Sequence, residues 1–247
     1  STAEAFWSPV ADGNVAPQVW SNGDDAIFAA GSDAAGGTVT LLDTVDANHV
    51  NIEEGAWTFD GDGQLTLYNG LNVAASLGTQ TFDANTTVQL NGDSEWFIDT
   101  GSTVSLDGNL AGDNNYNQLD KLGDGTLVLA GAGQTRNGIE LYAGTLVVSG
   151  EYLFENDALR VRDAGGTVIL ASDSNTPLHS NSSKAWRLWD SFTMQTSDAT
   201  ARQMDSNVTL ELDATITLDG PGDMSFGGDW DLGGRGGCAA DRRRRSR

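Results

Sequence analysis

The side chains in this chain best suited to chemistry are carboxylates, several of them paired in sequence: Asp24/Asp25, Asp60/Asp62 and Asp219/Asp223. Glycoside hydrolysis needs two carboxyl groups held about 5–10 Å apart across the scissile bond, one of them with a raised pKa. These carboxylates stand beside glycine in turn-like stretches such as 60-DGDG-63, where an aspartate ordinarily caps its own turn through the backbone. The same turns are the best ligand candidates for calcium, which takes roughly six to eight oxygens from carboxylates and turn carbonyls. Asp24 and Asp25 in 22-NGDD-25, and Asp60 and Asp62 in 60-DGDG-63, are therefore the metal candidates, although neither stretch completes an EF-hand loop. No other cofactor is expected.

Arg160 and Arg162 in 158-ALRVRDAGG-166 would share one face of a strand. A polysaccharide lyase could use such an arginine as a base; a solvated strand face is the plainer reading. The single cysteine, Cys238, allows no intrachain disulfide, and His49 and His179 lie too far apart in sequence to suggest a zinc site. No nucleophile elbow, phosphate-binding loop or dinucleotide fingerprint occurs. No catalytic residue is assigned. Trp96, Trp186, Trp189 and Trp230 could stack sugars on an exposed ridge, but core packing is the plainer role for large aromatics.

Positioning any of these groups falls to short strands. Alternating β-formers recur at 38–42, 65–68, 86–90, 103–106, 126–131, 145–150, 167–170, 208–212 and 215–218, bounded by Gly, Asp or Asn. The alternation places Val39 and Leu41 inward and Thr38 and Thr40 outward. Spacings near twenty residues, as from Thr126 to Thr145 and on to Thr167, point to a solenoid whose coils bury their inner faces only by stacking. The expected fold is all-β, a right-handed parallel β-helix; a β-sandwich, with strands every 8–12 residues or so, is the alternative. The expected organisation is an N-terminal cap over 1–37, the helix over 38–234 and a basic, disordered or aberrant tail over 235–247.

Charge narrows the partners. Residues 1–234 carry 7 basic and 34 acidic side chains, net −27, whereas 235–247 carry 6 and 1, net +5. Such an acidic body repels nucleic acid and anionic membrane. No apolar run reaches the roughly 18 residues of a membrane helix, so no membrane insertion by this chain is expected.

The stretch 119-LDKLGDGTLVLAGAGQTRNGIELYAGTLVVSG-150 resembles the autotransporter-associated β-strand repeat. The matching residues are Lys121, Gly123, Gly125, Thr126, Leu127, Leu129, Gly131, then Ala143, Gly144, Thr145, Leu146 and Val148; the spacer 134-QTRNG-138 departs from the repeat. A looser match covers Trp7, 20-WSNGDDAIF-28, 38-TVTL-41 and 65-LTL-67. The resemblance implies a parallel β-helix displayed outside a bacterial cell, as in autotransporter passengers. The expected function is an extracellular structural or adhesive surface module without catalysis, able to self-assemble end to end. Its expected partners are a cell-surface or matrix polysaccharide or protein, or a second copy of itself. Alternatives are a carbohydrate-binding or carbohydrate-active β-helix enzyme and, third, an ice-binding solenoid. Against the last stands the spacing of the T-x-T tripeptides at 38–40, 79–81 and 215–217, which is too wide for one per coil.

Overall fold

The computed structural model describes residues 19–29, 36–112, 117–135, 137–154, 156, 158–162, 166–171, 178–180, 186–212, 214–231 and 241–242. Much of the expected cap and tail, including Trp7 and Cys238, lies outside these residues. Every regular element among the described residues is a strand. Every strand pairing is parallel and joins a strand to its counterpart one coil away. This is the β-solenoid expected from the sequence, and parallel pairing is incompatible with the antiparallel sandwich alternative.

Each coil contributes strands to three faces. The first face runs through Thr87–Leu90, Asn109–Gly112, Ala132–Thr135 and Glu151–Phe154. The second runs through Ser94–Ile98, Leu119–Leu122, Ile139–Leu141, Leu159–Val161, Trp186–Leu188 and Val208–Leu210. The third runs through Gly78–Phe82, Ser102–Leu106, Thr126–Leu129, Thr145–Val148, Thr167–Leu170 and Phe192–Thr196. Near the start of the solenoid the first two faces are not yet separate. The long strands Thr44–Ile52 and Gln64–Val73 span both, and a register shift between Ala47 and His49 takes up the bend.

The period-two pattern of the sequence is what fills the interior. On the third face Leu127, Leu129, Leu146, Val148 and Val168 are fully buried, and the residues between them face out. In-register stacking puts like on like: Phe59 stacks on Phe82 at 4.7 Å between ring centroids, with Phe28 edge-on to Phe59 at 5.3 Å. Trp96 and Trp186 are fully buried in the same core, as expected from the sequence.

One corner shows why its glycines are needed. Gly108, Gly131 and Gly150 follow the third-face strands of three successive coils. A β-carbon on Gly131 would lie 1.9 Å from the Gly108 carbonyl oxygen, and one on Gly150 1.8 Å from that of Gly131. Backbone therefore packs directly on backbone, and any side chain would push adjacent coils apart. Gly131→Ala is expected to destabilise the fold by about 1–3 kcal/mol through overpacking. Leu127→Ala, which opens a cavity at a fully buried site, should cost about 2–5 kcal/mol. Urea unfolding of both variants checks these values, and an unshifted midpoint for either contradicts the stacking described.

Candidate functional site

The densest polar chemistry among the described residues lies on the outward side of the second face. Register aligns Glu95, Asp120, Glu140, Arg160 and Arg187 in one column, each residue one coil from the next. Stacked strands sit about 4.8 Å apart, so each side chain has the next one within reach.

Glu140 is the centre of this column, nearly fully buried although it points outward. Arg160 donates to its Oε1 at 2.6 Å, and Arg162 grips both oxygens with Nε at 2.7 Å and Nη2 at 2.8 Å. The Tyr142 hydroxyl adds a bond to Oε2 at 2.9 Å. Burial alone would raise the Glu140 pKa, but the donated bonds from Arg162, Arg160 and Tyr142 outweigh it and hold the carboxyl at about 2. Burial and the bond to Glu140 push the Tyr142 phenol up to about 12. Asp120 shifts the other way: burial raises its pKa and the facing carboxylates Glu140, Asp93 and Glu95 add to this, against a lowering bond from Gln118.

Beyond Arg162 the ladder turns aromatic. The Trp189 ring lies between two guanidinium groups, with Arg162 at 4.0 Å and Arg187 at 4.5 Å from its centroid. Arg187 in turn pairs with Glu211 at 2.6 Å. Arg160 and Arg162 are thus not a solvated strand face, because both are bound to one buried carboxylate from the preceding coil. Trp189 is half-exposed over this cluster rather than in the core; Trp230 is half-buried, edge-on to Phe226 at 5.1 Å.

Two carboxylates with pKa values driven apart on one face superficially match an acid and base pair. The geometry gives Glu140 a different role. Four donated bonds occupy the lone pairs a nucleophile or general base would use, so the group acts as a clamp joining its own coil to the next.

The calcium candidates sit elsewhere. Asp25 Oδ1 accepts from Asn48 Nδ2 at 2.7 Å and from the His49 backbone N–H at 3.2 Å, and the neighbouring Asp24 carbonyl accepts from the Asn48 N–H at 2.9 Å. Asp60 ends the third-face strand Ala56–Asp60, with one carboxylate oxygen buried and unpaired, and Asp62 is exposed in the turn that follows. The structure does not bring the two pairs together: Asp24 and Asp25 lead into the second face, Asp60 and Asp62 into the first. Among the described residues no three His, Cys, Asp or Glu side chains gather into a group able to hold a metal ion. Asp219 Oδ1 accepts from the Gly220 N–H at 2.8 Å, the turn-capping role expected of it.

Sequence reasoning missed the Glu140 clamp, although a signal existed. Glu140 and Tyr142 are separated from Arg160 and Arg162 by one twenty-residue coil, so E-x-Y stacks on R-x-R.

Folding should depend on this clamp below neutral pH. A carboxyl held at about 2 when folded, against an ordinary 4.5, contributes stability that is complete above 4.5 and is lost as pH falls through about 2. Glu140→Gln should lower stability at neutral pH by about 3 kcal/mol, because it leaves two arginines without their counter-charge. It should also flatten the pH dependence between 4.5 and 2. Chemical denaturation of both proteins across this range is the check; parallel curves exclude the clamp.

No family model matches the chain, and no solved structure matches it. Among curated proteins it is similar to the adhesin BmaC autotransporter of Brucella suis biovar 1 (strain 1330), at 30% identity over 190 residues, 76% of this chain. The chain spans about 4% of that relative's length. An adhesin-like sequence carried on stacked parallel coils makes this chain an autotransporter-passenger-like β-solenoid.

Proposed function

We propose that this chain is a non-enzymatic adhesive surface module, displayed at a bacterial cell surface or outside the cell, that holds a partner against the outward faces of its coils. The observation that carries this reading is the similarity to an autotransporter adhesin over 76% of the chain. The absence of catalysis is supported by the Glu140 clamp, where a carboxylate buried on the outward side is fully engaged by donors. The partner class is a cell-surface or matrix polysaccharide or protein. A second copy is a further partner, since solenoid ends present strand edges. Among the described residues Gly36–Thr40 is such an edge, with a strand partner on one side only.

Immobilised purified chain, offered panels of matrix proteins and of polysaccharides, is expected to capture a member of one panel saturably without releasing sugar fragments. Failure to capture any member of either panel overturns the adhesive reading. Turnover of a captured polysaccharide that disappears in Asp120→Asn overturns the non-enzymatic part. Light scattering over a concentration series tests the end contacts, with growth of elongated species expected.

A further inference from the structure

The outward side of the third face carries a pattern that the sequence conceals. Register places Thr79, Thr103, Thr126, Thr145, Thr167, Thr193 and Thr217 in a single column, one threonine per coil through seven consecutive strands. Two residues further along the same strands lies a second column of Thr81, Ser105, Val128, Val147, Ile169, Gln195 and Asp219. The T-x-T spacing that argued against one threonine per coil is therefore misleading: the first threonine recurs through seven successive coils, and it is the second that is replaced, mostly by Ser, Val or Ile.

Three properties of this surface bear on what it binds. First, it is a lattice. Rows repeat about every 4.8 Å between coils and columns lie about 6.6 Å apart along the strand. Second, it is stiff. β-branched side chains have few χ1 choices, and each residue is flanked above and below by another of similar shape, so hydroxyls and methyls are held in place before any partner arrives. Third, it is uncharged. From Thr79 and Thr81 to Thr193 and Gln195 neither column contains a charged side chain, in a chain with 35 acidic residues.

We propose that this face binds ice. A stiff, neutral, regularly spaced lattice of hydroxyls and methyls complements a partner that is itself rigid, neutral and periodic, and that both donates and accepts hydrogen bonds. Threonine hydroxyls anchor water at the row spacing, while the methyls of Val128, Val147 and Ile169 restrict the orientation of the water above them without competing for its hydrogen bonds. Charged side chains would hold their own hydration shells and break this order, which fits their exclusion from the two columns. An extended protein segment would match neither the regularity nor the lack of charge. The inference goes beyond the adhesive reading and does not depend on it, since purified chain alone tests it.

The test is partition of the purified chain into a slowly growing ice hemisphere, together with thermal hysteresis, for three proteins. Wild type is expected to enter the ice and to show hysteresis. Thr145→Tyr, which raises a bulky ring at the centre of the lattice, is expected to lose both while keeping the wild-type melting curve. Glu95→Tyr, an equally bulky change on the second face, is expected to keep both. Exclusion of wild type from ice overturns the proposal, as does equal loss in the two variants. A dimer of wild type that Thr145→Tyr dissociates, without ice partition, would overturn it in favour of a second copy covering this face.

Discussion

In-register parallel pairing between successive coils is the constraint on which the rest of this molecule depends. Each strand satisfies its backbone groups with the coil before and the coil after, so residues at equivalent positions stack about 4.8 Å apart. A choice made at one position then governs its column. Phenylalanine on phenylalanine and leucine on valine give a continuous dry interior. Charge is different, because like charges directly opposite one another destabilise a sheet. On the second face Glu95, Asp120 and Glu140 run together, and this column is tolerable because Arg160 and Arg187 follow in the next two coils.

Glu140 and Lys121 are both buried almost completely, and they are stabilised by different means. Glu140 has two opposite charges, Arg160 and Arg162, and the Tyr142 hydroxyl in contact. Lys121 has none in contact: it occupies the inward column between Trp96 and Leu141, and its ammonium donates to the carbonyls of Leu122, Gly123 and Ala143 at 2.9, 2.7 and 3.2 Å. Burial lowers its pKa to about 8, which still leaves it protonated at neutral pH. Its three donors meet three carbonyls at a corner where the chain leaves one face for the next, and one of those carbonyls belongs to the following coil. An apolar side chain of similar length would fill the space and give those oxygens no donor. The lysine is thus a corner fastener that ties two coils, and it is one of the residues that match the autotransporter-associated repeat.

The sequence was legible where coils are regular and opaque where they are not. From Thr126 to Thr145 to Thr167 the loops change little, so the repeat stands out, and alternation assigns Leu127, Leu146 and Val168 inward correctly. Threonines of the same column elsewhere lie 24 residues apart, as Thr79 and Thr103, or 26, as Thr167 and Thr193. Loop length varies between coils while register does not, so a constant period misses the column. The Glu140 clamp was hidden for a related reason: Arg160 and Arg162 have Asp157 and Asp163 beside them in sequence, but the carboxylate that binds both comes from the preceding coil and meets them only by stacking. Near Gln64–Val73 the difficulty is local, because Asn69-Gly70 reads as a turn that ends the strand at Tyr68, whereas the strand bends there and continues onto the next face.

Stacking also decides where function can reside in such a molecule. A solenoid this regular has a filled interior, so its contacts with the outside must come from its faces, and each face repeats whatever its columns contain. On the second face the clamp consumes its own charges, leaving Trp189 and the edges of its two arginines half-exposed as an amphipathic strip. From Thr79 and Thr81 to Thr193 and Gln195 the third face uses no charge across its two central columns, and the first column repeats threonine through seven strands. Core packing alone requires only that the inward residues alternate; it places no demand on which polar residue faces out. Threonine stacked on threonine also supports the sheet itself, so the column of seven outward threonines serves the fold and at the same time presents an unbroken row of hydroxyls to whatever meets this face.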